Sequence, residues 1–328
     1  MPGRVFSGIR PTGRAHLGNY LGAIQNYVAL QSQYECIYCI VDVHALTTLE
    51  ETKVLQSNIY EMALDLLAAG LDPDKGTILF VQSHVPEVMQ LHTLLSMVTP
   101  LGWLLRVPTF KDKVRQMSET EESVNYGLVG YPILMTADIA LYKADTVPVG
   151  EDQLPHLELA REIVRRFNNI FGDTFPEPKA KLTQAPMILG LDGQQKMSKS
   201  LNNHIELALG PEETIKKVKT AVTDPQRRYR TDPGRPEVCN VFSLHKVYSP
   251  TEADVIAREC RGAKRGCVEC KLQLAEGINR ELAPLRDRRR ELAARPEKVR
   301  EILTEGASRA SKIAEVTIQE VRQKMGLD

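Results

Sequence analysis

The feature that most constrains this chain is an alternation, through its first half, of short apolar runs with longer segments of helical period. The runs at residues 5–9, 36–43, 77–81 and 146–149 are largely apolar throughout. Strands buried on both faces read this way, whereas a half-exposed sheet alternates polar with apolar. Residues 17–30 and 53–69 place apolar side chains at helical spacing, the second stopped by Gly70, and further helices are expected after Pro86 and over 152–167. Strands alternating with helices imply a parallel sheet in a doubly wound, Rossmann-like α/β fold. From about Glu212 the apolar runs cease and charged helical segments dominate, with a Pro-Gly-rich loop at 230–236. The expected division is a catalytic α/β domain over 1–205, a helical domain over 206–300, and a C-terminal helix over 301–328 that returns to the first domain.

Charge does not announce a polyanionic partner, because 42 Lys and Arg balance 42 Asp and Glu. Local basic faces remain candidates, chiefly Lys264-Arg265 and the run Arg286-Asp287-Arg288-Arg289-Arg290. No apolar stretch of about 18 residues exists, and the N-terminus lacks a signal-like apolar region, so a cytosolic protein without a membrane contact is expected.

Polar segments fall at the ends of the predicted strands. Arg10 to Asn19 follows the first, Asp42-Val43-His44-Ala45 the second, Gln82-Ser83-His84 the third and Gly150-Glu151-Asp152-Gln153 the fourth. In open parallel sheets ligands bind beyond that edge. The glycine-rich phosphate loops of common nucleotide sites are missing, as are the usual zinc-protease and nucleophile-elbow motifs. Two segments offer another way to hold phosphate. His16-Leu17-Gly18-Asn19 opens a predicted helix, where free N–H groups and the helix dipole favour an anion, and Gly18 lets a ligand approach the backbone. Lys196-Met197-Ser198-Lys199-Ser200 follows Leu191-Asp192-Gly193-Gln194-Gln195, and two lysines three apart in a glycine-containing loop can embrace a polyphosphate, with Ser198 and Ser200 adding hydroxyl donors. Taken singly, each has an ordinary explanation: an incidental histidine at a helix start, or a solvated basic loop.

Taken together, the two segments resemble the paired "HIGH" and "KMSKS" motifs of class I aminoacyl-tRNA synthetases. Ser7-Gly8-Ile9-Arg10-Pro11-Thr12-Gly13, Tyr131-Pro132, Ala137-Asp138-Ile139, Val147 to Gln153 and Arg166-Phe167-Asn168 are similar to blocks of the tryptophanyl-tRNA synthetase family. The similarity runs from about Val5 to Leu327. It implies ATP-dependent activation of L-tryptophan with loss of pyrophosphate, then transfer to tRNA(Trp), in a homodimer with tRNA bridging two subunits. It also implies that His16, Gly18, Asn19, Met197 and Ser200 contact ATP, and that Lys196, Ser198 and Lys199 hold the leaving pyrophosphate together with Mg²⁺. Arg10, Pro11, Thr12, Gly150, Glu151, Asp152 and Met187 would line the nucleotide pocket, and Lys111 would reach the phosphates. His16 stands where many members carry threonine.

Asp138 is the expected specificity residue. It lies in Met135-Thr136-Ala137-Asp138-Ile139-Ala140, read as an apolar helix start, where a carboxylate is costly unless paired. An indole N–H is a donor only and suits a carboxylate acceptor. Met135, Ile139, Val147 and Val149 would sandwich the ring, and Tyr131 and Gln153 would take the α-amino group. The plain alternative is a helix-capping aspartate.

The six cysteines form two groups. Cys36 and Cys39 lie three apart in a predicted strand, so they point to opposite faces and belong to the core. Cys239, Cys260, Cys267 and Cys270 read C-x₂₀-C-x₆-C-x₂-C in the helical part, a set that can bind zinc or an iron–sulfur cluster. Some bacterial tryptophanyl-tRNA synthetases carry a four-iron four-sulfur cluster on a similar pattern with a slightly longer first gap. That resemblance implies a cluster here, with zinc as the alternative. Rival functions are a tyrosyl-tRNA synthetase, a nucleotidylyltransferase with a comparable histidine and phosphate loop, and a non-catalytic RNA-binding or metal-sensing paralogue, against which the intact His16 and Lys196 to Ser200 argue.

Overall fold

Five parallel strands carry the expected alternation into space. The computed structural model describes residues 3–48, 51–107, 110–111, 124–182 and 188–328. The strands are β1 (Arg4–Ile9), β2 (Glu35–Ile40), β3 (Ile78–Val81), β4 (Thr146–Val149) and β5 (Lys179–Leu182), in the order β3-β2-β1-β4-β5. Every pairing is parallel. The winding reverses between β1 and β4, which creates the crevice where doubly wound sheets bind ligands.

The strand at Lys179–Leu182 is the one that sequence pattern does not reveal. It is an edge strand, pairing only with β4, and its Lys-Ala-Lys-Leu side chains are mostly exposed. Charged residues on an edge discourage further pairing, and they also remove the apolar signature. The run at 36–43 stops as a strand at Ile40, and Asp42–Ala45 turns into a short helix. The segment at 17–30 is helical but changes pitch: Leu17–Asn19 is α, Tyr20–Ile24 is a π turn, and Gln25–Leu30 is α again. Single π turns inside α-helices frequently sit beside functional sites. The helix Leu55–Ala69 ends at Gly70, whose φ of 115° is the left-handed cap that glycine supplies.

The sheet divides the core. Phe6, Ile37, Cys39, Ile78 and Phe80 face the helices Glu87–Ser96, Tyr126–Leu141, Leu154–Phe171 and the C-terminal helix Pro296–Lys324. Val5, Cys36, Tyr38, Ile40, Leu79 and Val81 face the helix Leu55–Ala69 and the long helix Cys267–Ala293. Cys36 and Cys39 therefore do occupy opposite faces and pack as core. Among the described residues, no helix is long and apolar enough to cross a membrane.

The basic run at 286–290 does not form the open phosphate-binding face that its composition suggests. Arg286 is buried and donates to the Leu207 carbonyl and to Thr214 Oγ1. Arg288 donates to the Ala68 carbonyl at 2.7 Å, Arg289 pairs with Asp65 at 2.6 Å, and Arg290 pairs with Asp287 on its own helix at 2.5 Å. Arg288 and Arg289 tie the long helix to the helix Leu55–Ala69 of the α/β part. Arg265 is likewise engaged, pairing with Glu259 and Gln273.

The C-terminal helix lies directly on β3. A Cβ on Gly306 would fall 1.9 Å from the Leu79 carbonyl oxygen, and Ala307, Ala310 and Ala314 continue the small, buried stripe. Gly306→Ala is expected to force this helix off the sheet and to cost about 1–3 kcal/mol of unfolding free energy by chemical denaturation, the range for overpacking a tight contact.

Candidate active site

Beyond the C-terminal ends of β1 and β4 lies a cavity of about 290 Å³. Its walls include Gly8, Arg10, His44, Met135, Asp138, Ile139, Val147, Val149, Gly150 and Gln153. The four apolar residues expected to sandwich a ring thus line one cavity together with Asp138. The shape is a slot with apolar walls and one carboxylate.

Asp138 sits near the end of the helix Tyr126–Leu141, not at a helix start, so it is not an N-cap. It is 3% exposed. Its Oδ1 and Oδ2 accept from Gln82 Nε2 at 2.9 and 2.8 Å. Gln82 is itself aimed, because its Oε1 accepts from the His44 backbone N–H at 3.0 Å. Burial pushes the Asp138 carboxyl up to about 8; the Gln82 hydrogen bond opposes the shift and the nearby Asp42 charge adds to it. Asp42 is held by the Ser83 backbone N–H at 2.9 Å and the Ser83 hydroxyl at 2.6 Å. A carboxyl this reluctant to ionise gains from any ligand that brings an N–H donor into the slot. In the sequence Gln82 and Ser83 stand out only as polar strand-end residues; their signal is position, not type.

Arg10 lines the same cavity. It donates to Thr48 Oγ1 at 2.5 Å, while its buried Nε has no hydrogen-bond partner among the described residues. Burial holds its pKa below the ordinary arginine value. A half-buried guanidinium with an unpartnered Nε is suited to an anionic ligand group.

His16 caps the helix that follows it. Its Nδ1 accepts from the Asn19 N–H at 3.3 Å, and its own N–H donates to Asn19 Oδ1 at 3.1 Å, a reciprocal capping box. With Nδ1 accepting, the ring proton belongs on Nε2. Burial, with the nearby His204 and Lys199 adding, lowers its pKa to about 4. At neutral pH His16 is therefore an uncharged imidazole with one N–H to donate. Gly18 is where the two motifs touch: a Cβ there would stand 3.1 Å from the His16 ring and 3.3 Å from Met197 Cβ. Its missing side chain serves packing between the motifs as well as any approach of a ligand.

The lysine loop is fastened beside His16. Leu17 N–H donates to the Ile205 carbonyl and Leu207 N–H to the Ala15 carbonyl, both at 2.9 Å. Lys199 Nζ donates to the Thr12 carbonyl at 2.8 Å, across Gly13 with its φ of 100°. Lys196 Nζ lies 3.6 Å from Asp152 Oδ2, both side chains exposed. Asn203 braces the loop from inside, accepting from the Ser198 N–H at 2.7 Å and donating to Asp192 Oδ2 at 2.8 Å and to the Lys196 carbonyl at 3.2 Å. Ser198 and Ser200 hydroxyls are 2.8 Å apart. Asn203 carried no sequence signal of its own, being one of two adjacent asparagines in a polar stretch.

The remaining candidates are placed as follows. Pro11 lies between Arg10 and Thr12 in the turn closed by the Thr12 N–H and the Arg10 carbonyl. Glu151, Asp152 and Gln153 form a single 3₁₀ turn after β4. The Tyr131 hydroxyl lies 3.3 Å from His156 Nε2 and its ring meets His44 edge-on; it lines a neighbouring apolar hollow of about 260 Å³. Lys111 is exposed, and Met187 lies outside the described residues.

The four late cysteines share one neighbourhood. Burial first, then the other three thiols, raises the Cys270 pKa to about 12, with Arg265 opposing. Arg227 Nη1 stands 3.6 Å from Cys260 Sγ and 3.8 Å from Cys267 Sγ, and Cys270 Sγ lies 3.3 Å from His245 Nε2. Among the described residues, however, no group of three or more His, Cys, Asp or Glu is arranged to hold a metal ion. The expected ligand set is gathered but not closed.

Residues 1–283 match the family model for tRNA synthetases class I (W and Y). The chain is 48% identical to the tryptophan–tRNA ligase of Deinococcus radiodurans, with 98% of each chain covered. It is 41% identical to that of Aquifex aeolicus, over 99% of this chain and all of the relative. A crystal structure of Campylobacter jejuni tryptophanyl-tRNA synthetase complexed with ADP and tryptophan superposes with a TM-score of 0.89 at 35% identity, covering 99% of this chain and 100% of that one.

Because the Asp138 pKa is about 8 in the fold against an ordinary 3.8, the folded state keeps a proton that the unfolded chain loses. Below the ordinary pKa both states are protonated and nothing is lost; between pH 3.8 and about 8 stability declines with rising pH; above that the loss is complete. The Tm of Asp138→Asn relative to the parent is therefore expected to climb across that window and level off above it.

Proposed function

The chain belongs to the class I tRNA synthetases of the tryptophan and tyrosine group, and from that premise we propose how its residues share the work of a tryptophan–tRNA ligase. It activates L-tryptophan with ATP, releasing pyrophosphate, and transfers the amino acid to tRNA(Trp). The tryptophan carboxylate attacks the α-phosphorus directly, so the protein supplies no nucleophile. Its contribution is alignment and stabilisation of charge.

The observation that carries the assignment to individual residues is the apolar slot ending in Asp138. Asp138, aimed by Gln82, accepts the indole N–H, while Met135, Ile139, Val147 and Val149 pack the ring. Tyr131 and Gln153 are assigned to the α-amino group. A site built to pair with a substrate N–H rejects analogues without one by roughly 10⁴–10⁵-fold in comparable cases, which separates this reading from a tyrosine enzyme. His16 Nε2–H, Gly18, Asn19, Lys196, Lys199, Ser198 and Ser200 are assigned to the triphosphate, and Arg10, Pro11, Thr12, Gly150, Glu151, Asp152, Met187 and Met197 to the rest of the nucleotide. Lys111 is assigned to the outer phosphates. Mg²⁺, when bound with the nucleotide, would neutralise polyphosphate charge beside Lys196 and Lys199.

The division into a catalytic region 1–205, an RNA-facing helical region 206–300 and a returning helix 301–328 is likewise proposed. The cytoplasm is its proposed place of work. A homodimer is proposed on the family pattern, with the apolar hollow lined by Val43, Leu46, Met89 and Leu134 as the supporting surface.

The four-cysteine site is read as holding a four-iron four-sulfur cluster, supported by the mutual approach of Cys239, Cys260, Cys267 and Cys270. A single zinc needs four sulfurs at about 2.3 Å from one point, and no such compact set exists among the described residues as they stand. A cluster spreads its ligands wider, but the thiols must still move to bind it, and no step of the reaction runs through it. Protein purified without oxygen is expected to be brown and to contain iron and sulfide; colourless protein with stoichiometric zinc would refute the cluster.

Pyrophosphate exchange measured with each of the twenty amino acids is expected to respond to tryptophan alone. Asp138→Ala is expected to lose that selectivity, and unchanged tryptophan-dependent exchange in this variant would remove Asp138 from its assigned role.

A further inference from the structure

Outside the cavity, one buried carboxylate grips the peptide that leads into His16. Asp65, on the helix Leu55–Ala69, is 0% exposed. Its Oδ2 accepts from the Ala15 N–H at 2.6 Å and its Oδ1 from Arg289 Nε at 2.6 Å. Arg289 also bonds Glu61, which holds Arg14 Nε at 2.6 Å. On the other side of the same residue, the Ala15 carbonyl accepts from the Leu207 N–H, and the Leu207 carbonyl accepts from Arg286 Nε at 3.2 Å. Arg286 and Arg289 are one turn apart on the long helix Cys267–Ala293. The contacts thus close a circuit: Arg289, Asp65, Ala15, Leu207, Arg286, and back to the helix.

Both backbone groups of Ala15 are spent in this circuit, and His16 is the next residue. The helix bearing Asp65 is already anchored by Ile59, Met62, Leu66 and other buried apolar side chains. Buried ion pairs add little stability compared with apolar replacements, so anchoring this helix does not require the pair. The circuit therefore does for the His16 peptide what packing alone does not: it sets the direction of the imidazole that its own capping box then holds.

We propose that Asp65 and Arg289 are positioning residues for His16, directing its Nε2–H at the ATP phosphates through the Ala15 peptide. The inference rests on the reading of His16 as an ATP-contacting residue. Neither residue lines the tryptophan slot. The expectation is a selective defect in using ATP.

The test uses full-length Asp65→Asn, Arg289→Met and Arg289→Lys in tryptophan-dependent pyrophosphate exchange, each in the parent and in a His16→Gln background, with tryptophan affinity measured by calorimetry. Asp65→Asn and Arg289→Met are expected to lower kcat/KM for ATP by roughly ten- to a hundredfold, the scale of a small misplacement, while tryptophan affinity stays unchanged. Arg289→Lys is expected to restore much of the loss. In the His16→Gln background the same substitutions are expected to cost almost nothing further, because both act on one interaction. Equal losses in the two backgrounds, or a parallel loss of tryptophan affinity, would overturn the inference and leave the reading of His16 standing. If His16→Gln itself exchanges normally, that reading fails and the inference falls with it. Should Asp65→Asn not fold, the Arg289 pair decides alone.

Discussion

The site depends on a short backbone pairing between two pieces of chain nearly two hundred residues apart. Leu17 N–H meets the Ile205 carbonyl, and Leu207 N–H meets the Ala15 carbonyl. Without these bonds His16 and the lysine loop would be separate features of the surface. With them, Gly18 lies against Met197 and Lys199 reaches the Thr12 carbonyl. Each side brings something the other lacks: a neutral donor imidazole at a helix start, and lysines that can follow a leaving polyphosphate. Lys196 in turn lies 3.6 Å from Asp152, in the turn whose Gly150 and Gln153 line the apolar slot.

The second constraint is the burial of Asp138. A carboxylate in an apolar wall is unfavourable, and the fold answers with Gln82, itself aimed by the His44 backbone. The answer is incomplete, since the carboxyl remains hard to ionise. That incompleteness is useful. On the proposed reading, a donor from the ligand would finish the pairing, and specificity would come from a polar group left partly unsatisfied until the correct ring enters.

Much of this was legible in the sequence, and the reasons for the gaps are physical. Buried strands β1 to β4 announce themselves as apolar runs, whereas β5 is an edge whose exposed lysines hide it. His16 and the loop at 196–200 stand out because their residue types and order are rare. Gln82, Asn203 and Asp65 do not, because an amide or a carboxylate at the right place looks like any other polar residue until its partners are known. The arginines at 286–290 show the opposite error. Composition reads them as a face for phosphate, yet Arg286, Arg288 and Arg289 find carbonyls and a carboxylate on neighbouring elements. The apolar run around Asp138 suggests a helix start, but twelve residues of helix precede it, so its cost comes from burial and not from a helix end.

The central claim is that Asp138 takes the indole N–H as an ionised acceptor. At neutral pH the empty site holds this carboxyl mostly protonated, since its pKa lies at about 8. Binding should therefore expel a proton, and calorimetry of tryptophan binding in buffers of different ionisation enthalpy measures that number directly. The account predicts release of close to one proton near pH 7 in the parent and none in Asp138→Asn. Binding to the parent without proton release, or the same release from the variant, would contradict it.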